Sequence, residues 1–342
     1  MSIDNFYPSV LDTNKHNNKD TQITVINIVR KNDYYLQQLI KVSTIMKNIP
    51  KFAEICFPVL DHERLDIGEF NNYDINIMSK SHDYIIYTIN DTKNAVSLYD
   101  SLYDSQMSRR YFLSTFINIY VNMCKNFEKI NTQKLILLEL HPINIVLHNN
   151  RPKICSIERS IEYDNISFID VETFFNNYEP NNVLMPIEYH IICYMISNSL
   201  EGLSSFNLEE VCNDVIGVRG LQSLKMLEVN SLETYKKQIL HYYRNIVIKS
   251  KNEIINILFQ YCDRWNNYSL TVLYIIFLRD LFKRPNEELF YKNLFLKSFN
   301  ALLSKNILSL PSGRLLPEQN ILEFTNILYK MKSNIFKELI YL

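Results

Sequence analysis

The pattern of hydrophobic and polar residues divides the chain into a short strand-rich front and a long helical remainder. Residues 33–48 carry apolar positions at helical spacing behind Asp33, an N-cap candidate, and Pro50 and Pro58 bracket a second, shorter helix. The pattern changes near 90–93, where the helical part begins. Stretches rich in β-branched residues predict strands at 22–30, 65–70 and 84–89.

Helical periodicity dominates the rest of the chain, with one interruption at 136–160 that predicts a tight loop, a short strand, a turn and a second strand. Helices are predicted at 93–104, 108–130, 186–198, 205–216, 230–262, 268–283, 286–305 and 317–340. The fold class that follows is α+β and mostly helical. A small strand-bearing lobe and a large helical lobe would leave a cleft between them, where ligands commonly bind.

Composition and charge exclude several classes of protein. The 342 residues are 47% hydrophobic, which is enough for one large domain or two small ones. The net charge of −1 gives no global basic field, so we expect no nucleic-acid partner. The first twenty residues are polar, which argues against a signal peptide, and the absence of a long apolar run argues against a membrane span.

Cysteine and glycine usage narrow the chemistry further. None of the six cysteines forms a CxxC pair, so we expect buried free thiols in a reducing compartment rather than a zinc site. There are only five glycines, and the first is Gly68. No glycine-rich loop can therefore cradle phosphates near the N-terminus.

A set of short motifs spread over the second half of the chain carries a resemblance to a known family. They are Glu139-Leu140-His141-Pro142-Ile143-Asn144, Ser156-Ile157-Glu158-Arg159, Met185-Pro186-Ile187-Glu188-Tyr189-His190, Trp265-Asn266-Asn267-Tyr268-Ser269-Leu270 and Pro311-Ser312-Gly313-Arg314. In this order they resemble protein kinases, and more narrowly the divergent kinase-like proteins of large cytoplasmic DNA viruses. The resemblance implies a bilobal kinase-like fold, with a flexible N-terminus at 1–20, a reduced N-lobe at 21–92 and a helical C-lobe at 93–342.

The resemblance assigns the catalytic positions to altered residues. Glu139 stands where the family has the catalytic aspartate, so it is either a displaced base or a carboxylate that only anchors the loop. Asn144 matches the metal-binding asparagine, or braces the loop. Ser156 replaces the magnesium-binding aspartate, and a neutral hydroxyl is a weak ligand for Mg²⁺. Glu158 is the nearest substitute carboxylate. Remoter candidates are Asp164, Asp170 and Glu172.

The nucleotide-binding ion pair of the family is also incomplete. Lys31, or Arg30 next to it, is the candidate for the strand lysine that contacts phosphates, although an exposed charge at the end of a strand is the simpler interpretation. The helix at 33–48 offers only Gln37 and Gln38 where the family has a glutamate. A neutral amide cannot form the ion pair that holds the active geometry.

Several structural positions of the family are intact. The resemblance predicts that Glu188 and Arg314 form a buried ion pair, and that Asn266 holds the backbone of the catalytic loop in place of an aspartate. His141 and His190 occupy motif positions. Because no metal-ligand spacing surrounds them, we expect packed or capping histidines.

Three functions remain open at this point. The leading hypothesis is a pseudokinase, a viral serine/threonine kinase homologue that acts as an interaction or regulatory scaffold with viral or host proteins and needs no cofactor. The second is a divergent active kinase that uses Mg-ATP. The third is a structural protein of the virion. The resemblance places the protein in the host cytoplasm or a viral factory, or in the virion itself.

Overall fold

The structure is a computed structural model, and the residues it describes are 24–30, 34–65, 84–90, 95–103, 109–138, 140–282 and 293–340. Several positions singled out in the sequence lie outside these ranges, namely the stretch 1–20, Lys31, Asp33 and Glu139. The chain is an α+β protein, and most of its described residues are helical.

The chain divides into two compact units. The first comprises Met1–Ser101 together with Ile143–Ser160, and the second comprises Leu102–Pro142 together with Ile161–Leu342. The segment that resembles the catalytic and magnesium loops is thus divided between the two units. The lobe boundaries at 21–92 and 93–342 stay a prediction.

Eight strands lie in three small sheets among the described residues. They are β1 (Thr24–Arg30), β2 (Asp61–Leu65), β3 (Tyr84–Asn90), β4 (Val96–Ser97), β5 (Leu135–Leu137), β6 (Ile145–His148), β7 (Arg151–Ile154) and β8 (Ser160–Glu162). The sheet orders are β1-β3-β2, β4-β6-β7 and β5-β8.

The helices are α1 (Tyr34–Met46), α2 (Leu98–Tyr103), α3 (Arg109–Thr132), α4 (Phe168–Phe174), α5 (Ile187–Ser197), α6 (Ser205–Ile216), α7 (Val229–Tyr243), α8 (Lys251–Phe259), α9 (Trp265–Phe282), α10 (Leu294–Ile307) and α11 (Pro317–Ile340). Short 3₁₀ turns connect several of them. They include Phe52–Glu54, Pro142–Asn144, Arg244–Ile246, Cys262–Arg264 and Pro311–Gly313.

In the first unit, β1, β3 and β2 form an antiparallel sheet, and α1 contributes to its core. Leu36 of α1 packs in one buried cluster with Val59 and Ile85. Two polar contacts hold α1 and the residue after it to the segment before β2. The Val59 amide donates to Ser43 Oγ at 2.9 Å, and Lys47 Nζ donates to the Leu60 carbonyl at 2.8 Å.

The second sheet of this unit is built around a tight hairpin. The register pairs His148 with Arg151, so only Asn149 and Asn150 lie in the turn, and their φ angles are 52° and 59°. A two-residue hairpin turn needs positive φ at both positions, which asparagine tolerates better than most residues. The hairpin predicted within 136–160 is therefore present.

Three element predictions need correction. The strand expected at 65–70 begins earlier, as β2 at Asp61–Leu65, and the positions after Leu65 lie outside the described residues. This strand pairs only with β3 among the described residues, and edge strands often carry charged residues that hide the β pattern. The helix expected at 93–104 contains β4 before α2. Ser97 begins that helix by accepting a hydrogen bond from the Asp100 amide.

The third correction concerns the helix expected at 230–262, which is broken between α7 and α8. Ser250 and Glu253 form a capping box that starts the second helix. The sequence Ser-Lys-Asn-Glu is the usual signal for such a start. The apolar periodicity continues across the break and conceals it.

Helix α9 is the central element of the second unit. Its residues from Trp265 to Ile275 are buried on every side, which is typical of a helix enclosed by others. It packs against α3, α10 and β5. The core beside it is unusually aromatic. The rings that meet there at centroid distances of 4.6 to 6.1 Å include Phe116, Tyr120, Tyr274, Phe299 and Phe324.

A polar network crosses this aromatic core. Asn320 Nδ2 of α11 donates to Asn267 Oδ1 of α9 at 2.7 Å and lies 2.8 Å from the Tyr120 hydroxyl of α3. Asn267 Nδ2 in turn donates to the Leu315 carbonyl at 2.8 Å. All three side chains are buried, so each polar atom needs its partner. The network thus fixes the relative positions of α3, α9 and α11.

Replacing Asn320 by leucine tests this network. We expect Asn320→Leu to lower the free energy of unfolding by about 1–3 kcal/mol for each buried group left without a partner. Chemical denaturation measures the change. Asn326→Leu, at an exposed position of the same helix, is the matched control and should have little effect. Equal stability of the Asn320→Leu and Asn326→Leu proteins would show that the network contributes nothing.

Candidate functional site

The first unit contains the part of the motif region from Asn144 to Ser160. Asn144 ends a 3₁₀ turn immediately before β6, and its carbonyl accepts a hydrogen bond from the Cys155 amide at 2.8 Å. This bond lies next to the end of β7, one residue before Ser156. The backbone of Asn144 therefore lies close to that of Ser156.

The chemistry at Ser156 differs from that of a magnesium loop. Ser156 Oγ donates a hydrogen bond to Glu158 Oε1 at 2.8 Å, and both side chains are partly exposed. One hydroxyl and one carboxylate thus stand together. Mg²⁺ prefers several oxygen ligands in near-octahedral geometry, usually carboxylates and phosphates. Among the described residues, no group of three or more histidine, cysteine, aspartate or glutamate side chains could hold a metal ion.

The glutamine that the resemblance sets at the position of the helical glutamate binds a backbone carbonyl. Gln38 of α1 is buried and its Nε2 donates to the Ser160 carbonyl at 2.6 Å. Gln37, the other candidate, is exposed. A neutral amide therefore connects helix α1 to the segment just after Ser156. Unlike the ion pair of the family, this contact forms without a lysine as partner.

The remoter carboxylates lie in the second unit. Asp170 accepts hydrogen bonds from the Ser167 amide at 2.9 Å and from Ser167 Oγ at 2.7 Å. This capping box satisfies the start of α4. Asp164 and Glu172 are exposed, on a 3₁₀ turn and on α4 respectively. Asp170 thus has a structural role, and the other two lie on the surface.

Asn266 holds the strand that leads into the motif region. Its Oδ1 accepts from the Leu137 amide at 2.8 Å, and its Nδ2 donates to the Leu135 carbonyl at 3.0 Å. A single amide thereby satisfies both a donor and an acceptor of β5, which a carboxylate cannot do. The expectation that an uncharged residue at this position still holds the backbone agrees with these contacts.

The ion pair expected between Glu188 and Arg314 is present and buried. Arg314 Nη1 lies 2.7 Å from Glu188 Oε2, and the two side chains are 0% and 1% exposed. Burial by itself disfavours the charged guanidinium, but the Glu188 carboxylate and two nearby tyrosines more than offset it, so the pKa of Arg314 is raised. The guanidinium therefore stays charged inside the core.

Three tyrosines complete this buried site, and sequence reasoning missed them. The Tyr243 hydroxyl donates to Glu188 Oε1 at 2.9 Å, and Arg314 Nη2 donates to the Tyr235 hydroxyl at 3.2 Å. The guanidinium also lies 5.0 Å from the ring centroid of Tyr268. Burial raises the pKa of Tyr243 and Tyr235. The apolar spacing of α7 places Tyr235 and Tyr243 on its buried face, but nothing in the spacing identifies their partners.

The two histidines have different surroundings. His190 is fully buried on α5, and its Nε2 lies 3.1 Å from the Asn182 carbonyl. Burial lowers the pKa of His190 to about 4. His141 is exposed. The expectation of a packed histidine thus holds for His190.

No protein-family model matches the chain, and no curated protein matches it either. Among the described residues, no helix is both long enough and apolar enough to cross a bilayer. All six cysteines are free thiols. Five of them are buried, and Cys155 is partly exposed.

Removing the arginine of the buried pair should destabilise the second unit. We expect Arg314→Ala to lower the free energy of unfolding by about 3–5 kcal/mol and the melting temperature by several degrees, because Glu188 is left charged and buried. Arg219→Ala, at an exposed position, is the control. The double variant Glu188→Gln, Arg314→Met should recover part of the loss. A melting temperature of Arg314→Ala equal to that of the wild type would contradict the role given to the pair.

Protonation of His190 should make the fold sensitive to acid. Because the folded pKa is about 4 and the unfolded one about 6.5, stability is unaffected above pH 6.5 and falls as pH decreases toward 4. The loss should reach about 3 kcal/mol relative to His190→Gln. Denaturation of both proteins across this pH range measures the difference. His241→Gln, at an exposed position, should behave as wild type. If the stability of His190→Gln depends on pH in the same way as that of the wild type, His190 is not the group that causes the acid sensitivity.

Proposed function

We propose that this protein is a pseudokinase: a kinase-like fold that serves as a binding or regulatory scaffold for viral or host proteins and does not transfer phosphate. The observation that carries the proposal is the state of the two positions where phosphate transfer needs charge. At both, neutral groups stand in place of charged ones and already have partners within the protein.

The first position is the magnesium loop. Family members use an aspartate there to bind the metal that neutralises the β- and γ-phosphates. In this chain the residue is Ser156, whose hydroxyl is bonded to Glu158. A site with one carboxylate and one hydroxyl supplies less negative charge than the family's site. Metal binding is accordingly weakened, and phosphate charge is left without a counter-ion.

The second position is the ion pair between the strand lysine and the helical glutamate. Here Gln38 is bonded to the Ser160 carbonyl. This contact joins α1 to the segment that follows Ser156 through a neutral amide, not through an ion pair. In a catalytic kinase the pair must form before phosphate is transferred. A scaffold has no such requirement and gains from a fixed surface.

The contacts typical of the family's framework support the kinase-like part of the proposal. They are the buried pair of Glu188 and Arg314 and the bonds of Asn266 to β5. These residues stabilise the fold and take no part in chemistry. A kinase-like framework with altered catalytic positions fits a scaffold better than a phosphate-transferring enzyme.

A phosphotransfer assay tests the proposal. Purified protein is incubated with labelled ATP and Mg²⁺ or Mn²⁺, beside the double variant Asn144→Ala, Glu139→Ala. We expect no incorporation above the variant, because phosphoryl transfer depends on positioning and on charge neutralisation. Incorporation by the wild type that disappears in the variant would establish a divergent active kinase. The variant Ser156→Asp, Glu139→Asp should gain metal-dependent nucleotide binding if these positions are the altered site.

A further inference from the structure

The outer surface of helices α6 and α7 carries exposed apolar side chains at both of its ends. The two helices pack against each other, and the Lys251 amide donates to the Glu201 carbonyl at 2.9 Å, which joins the segment after α7 to the segment before α6. They are therefore antiparallel. Phe206 (74% exposed) and Ile248 (89%) lie at the end near this bond, and Val218 (76%) and Val229 (55%) lie at the end where the chain turns from α6 into α7. Exposed apolar residues that are grouped and rimmed by charge are typical of interaction sites.

Helix α6 presents carboxylates between these apolar ends. Glu209 is exposed, and Glu210 and Asp214 are partly exposed. The Tyr194 hydroxyl donates to Glu210 Oε2 at 2.6 Å and the Tyr178 hydroxyl donates to Asp214 Oδ2 at 3.1 Å, which orients both carboxylates without cancelling their charge. Among the described residues, no lysine, arginine or histidine forms an ion pair with any of the three. Helix α6 has no basic residue in its last turn, and negative charge near the end of a helix opposes the helix dipole, so folding alone does not favour this arrangement.

Helix α7 presents cations beside this acidic surface. Lys237 and Arg244, which directly follows the helix in helical conformation, are both exposed, and their spacing of seven residues places them on one side. Among the described residues, no carboxylate forms an ion pair with either cation. The one carboxylate of α7 is Glu233, which lies nearer the end marked by Val229. The pair of helices thus carries unpaired negative charge on α6 and unpaired positive charge on α7.

We propose that this surface binds a second copy of the chain, related to the first by a two-fold axis that runs along the α6–α7 pair. Such an axis sets α6 of one protomer against α7 of its partner, so each acidic helix meets a basic one and the apolar ends meet each other. A two-fold interface requires a surface that is complementary to itself in this way. The apolar contacts exclude water, and the opposite charges fix the orientation. A basic segment of another protein would match only the α6 half of the surface. The inference does not depend on the pseudokinase proposal.

Sedimentation equilibrium of the full chain tests the proposal. We expect a reversible equilibrium between monomer and dimer at micromolar to millimolar concentration, with a dissociation constant that rises with salt because exposed charges are screened. A wild-type protein that stays monomeric would overturn the proposal, and so would assembly beyond the dimer, since a two-fold contact closes at two copies. If the monomer instead binds an added polyarginine peptide and Glu209→Lys abolishes that binding, the occupant is a basic segment of another protein and the proposal fails.

Charge reversal identifies the surface that the dimer uses. Glu209→Lys sets a cation against the basic helix of the partner, and Lys237→Glu sets a carboxylate against the acidic one, so each should raise the dissociation constant by at least about tenfold. Both positions are exposed, so the variants should keep the wild-type circular dichroism spectrum. A mixture of the two variants should dimerise again, because each reversed charge then meets an opposite charge in the partner. Glu128→Lys, at an exposed position of α3, is the control and should dimerise as the wild type does. Unchanged dimerisation of both single variants, or a mixture that stays monomeric, would refute the pairing of α6 with α7.

Discussion

The buried ion pair of Glu188 and Arg314 is the interaction on which the helical unit most depends. Each charge would be costly to bury alone, and each is satisfied by the other and by a tyrosine. The pair joins the start of α5 to the turn before α11, and Tyr235 and Tyr243 bring α7 to the same point. Arg264 extends this connection by donating to the carbonyls of Pro311 and Arg314 at 3.2 and 2.9 Å. Elements far apart in sequence are thus fixed around one pair of charges.

Charge is used differently in the first unit. Ser156 and Gln38, which the proposal compares with reactive positions of the family, form hydrogen bonds within the protein, to the Glu158 carboxylate and to the Ser160 carbonyl. A site that binds Mg·ATP concentrates opposite charges that are neutralised only when the ligand arrives. The side chains of Ser156 and Gln38 are instead bonded to groups of the protein itself. This contrast between the two units is the physical basis for proposing a scaffold and not an enzyme.

The sequence anticipates the framework better than the details of the site. Helices α5, α6 and α11 begin and end within about one residue of the bounds that the periodicity predicts. Each of them has an apolar face and clear end signals. The contact between Glu188 and Arg314 follows from motif order although 126 residues separate them. Strand β4 is only two residues long and has no pattern to detect. The bond from Gln38 to Ser160 spans 122 residues through a backbone carbonyl, and a backbone group leaves no signature in sequence.

Calorimetric titration of the purified protein with Mg·ATP tests the central claim most directly. The account predicts no saturable heat at millimolar nucleotide, since Ser156 supplies no charge for the metal and Gln38 forms no ion pair. Saturable binding that requires Mg²⁺ and is lost in Asn144→Ala would contradict it, because a functional nucleotide site would then be present.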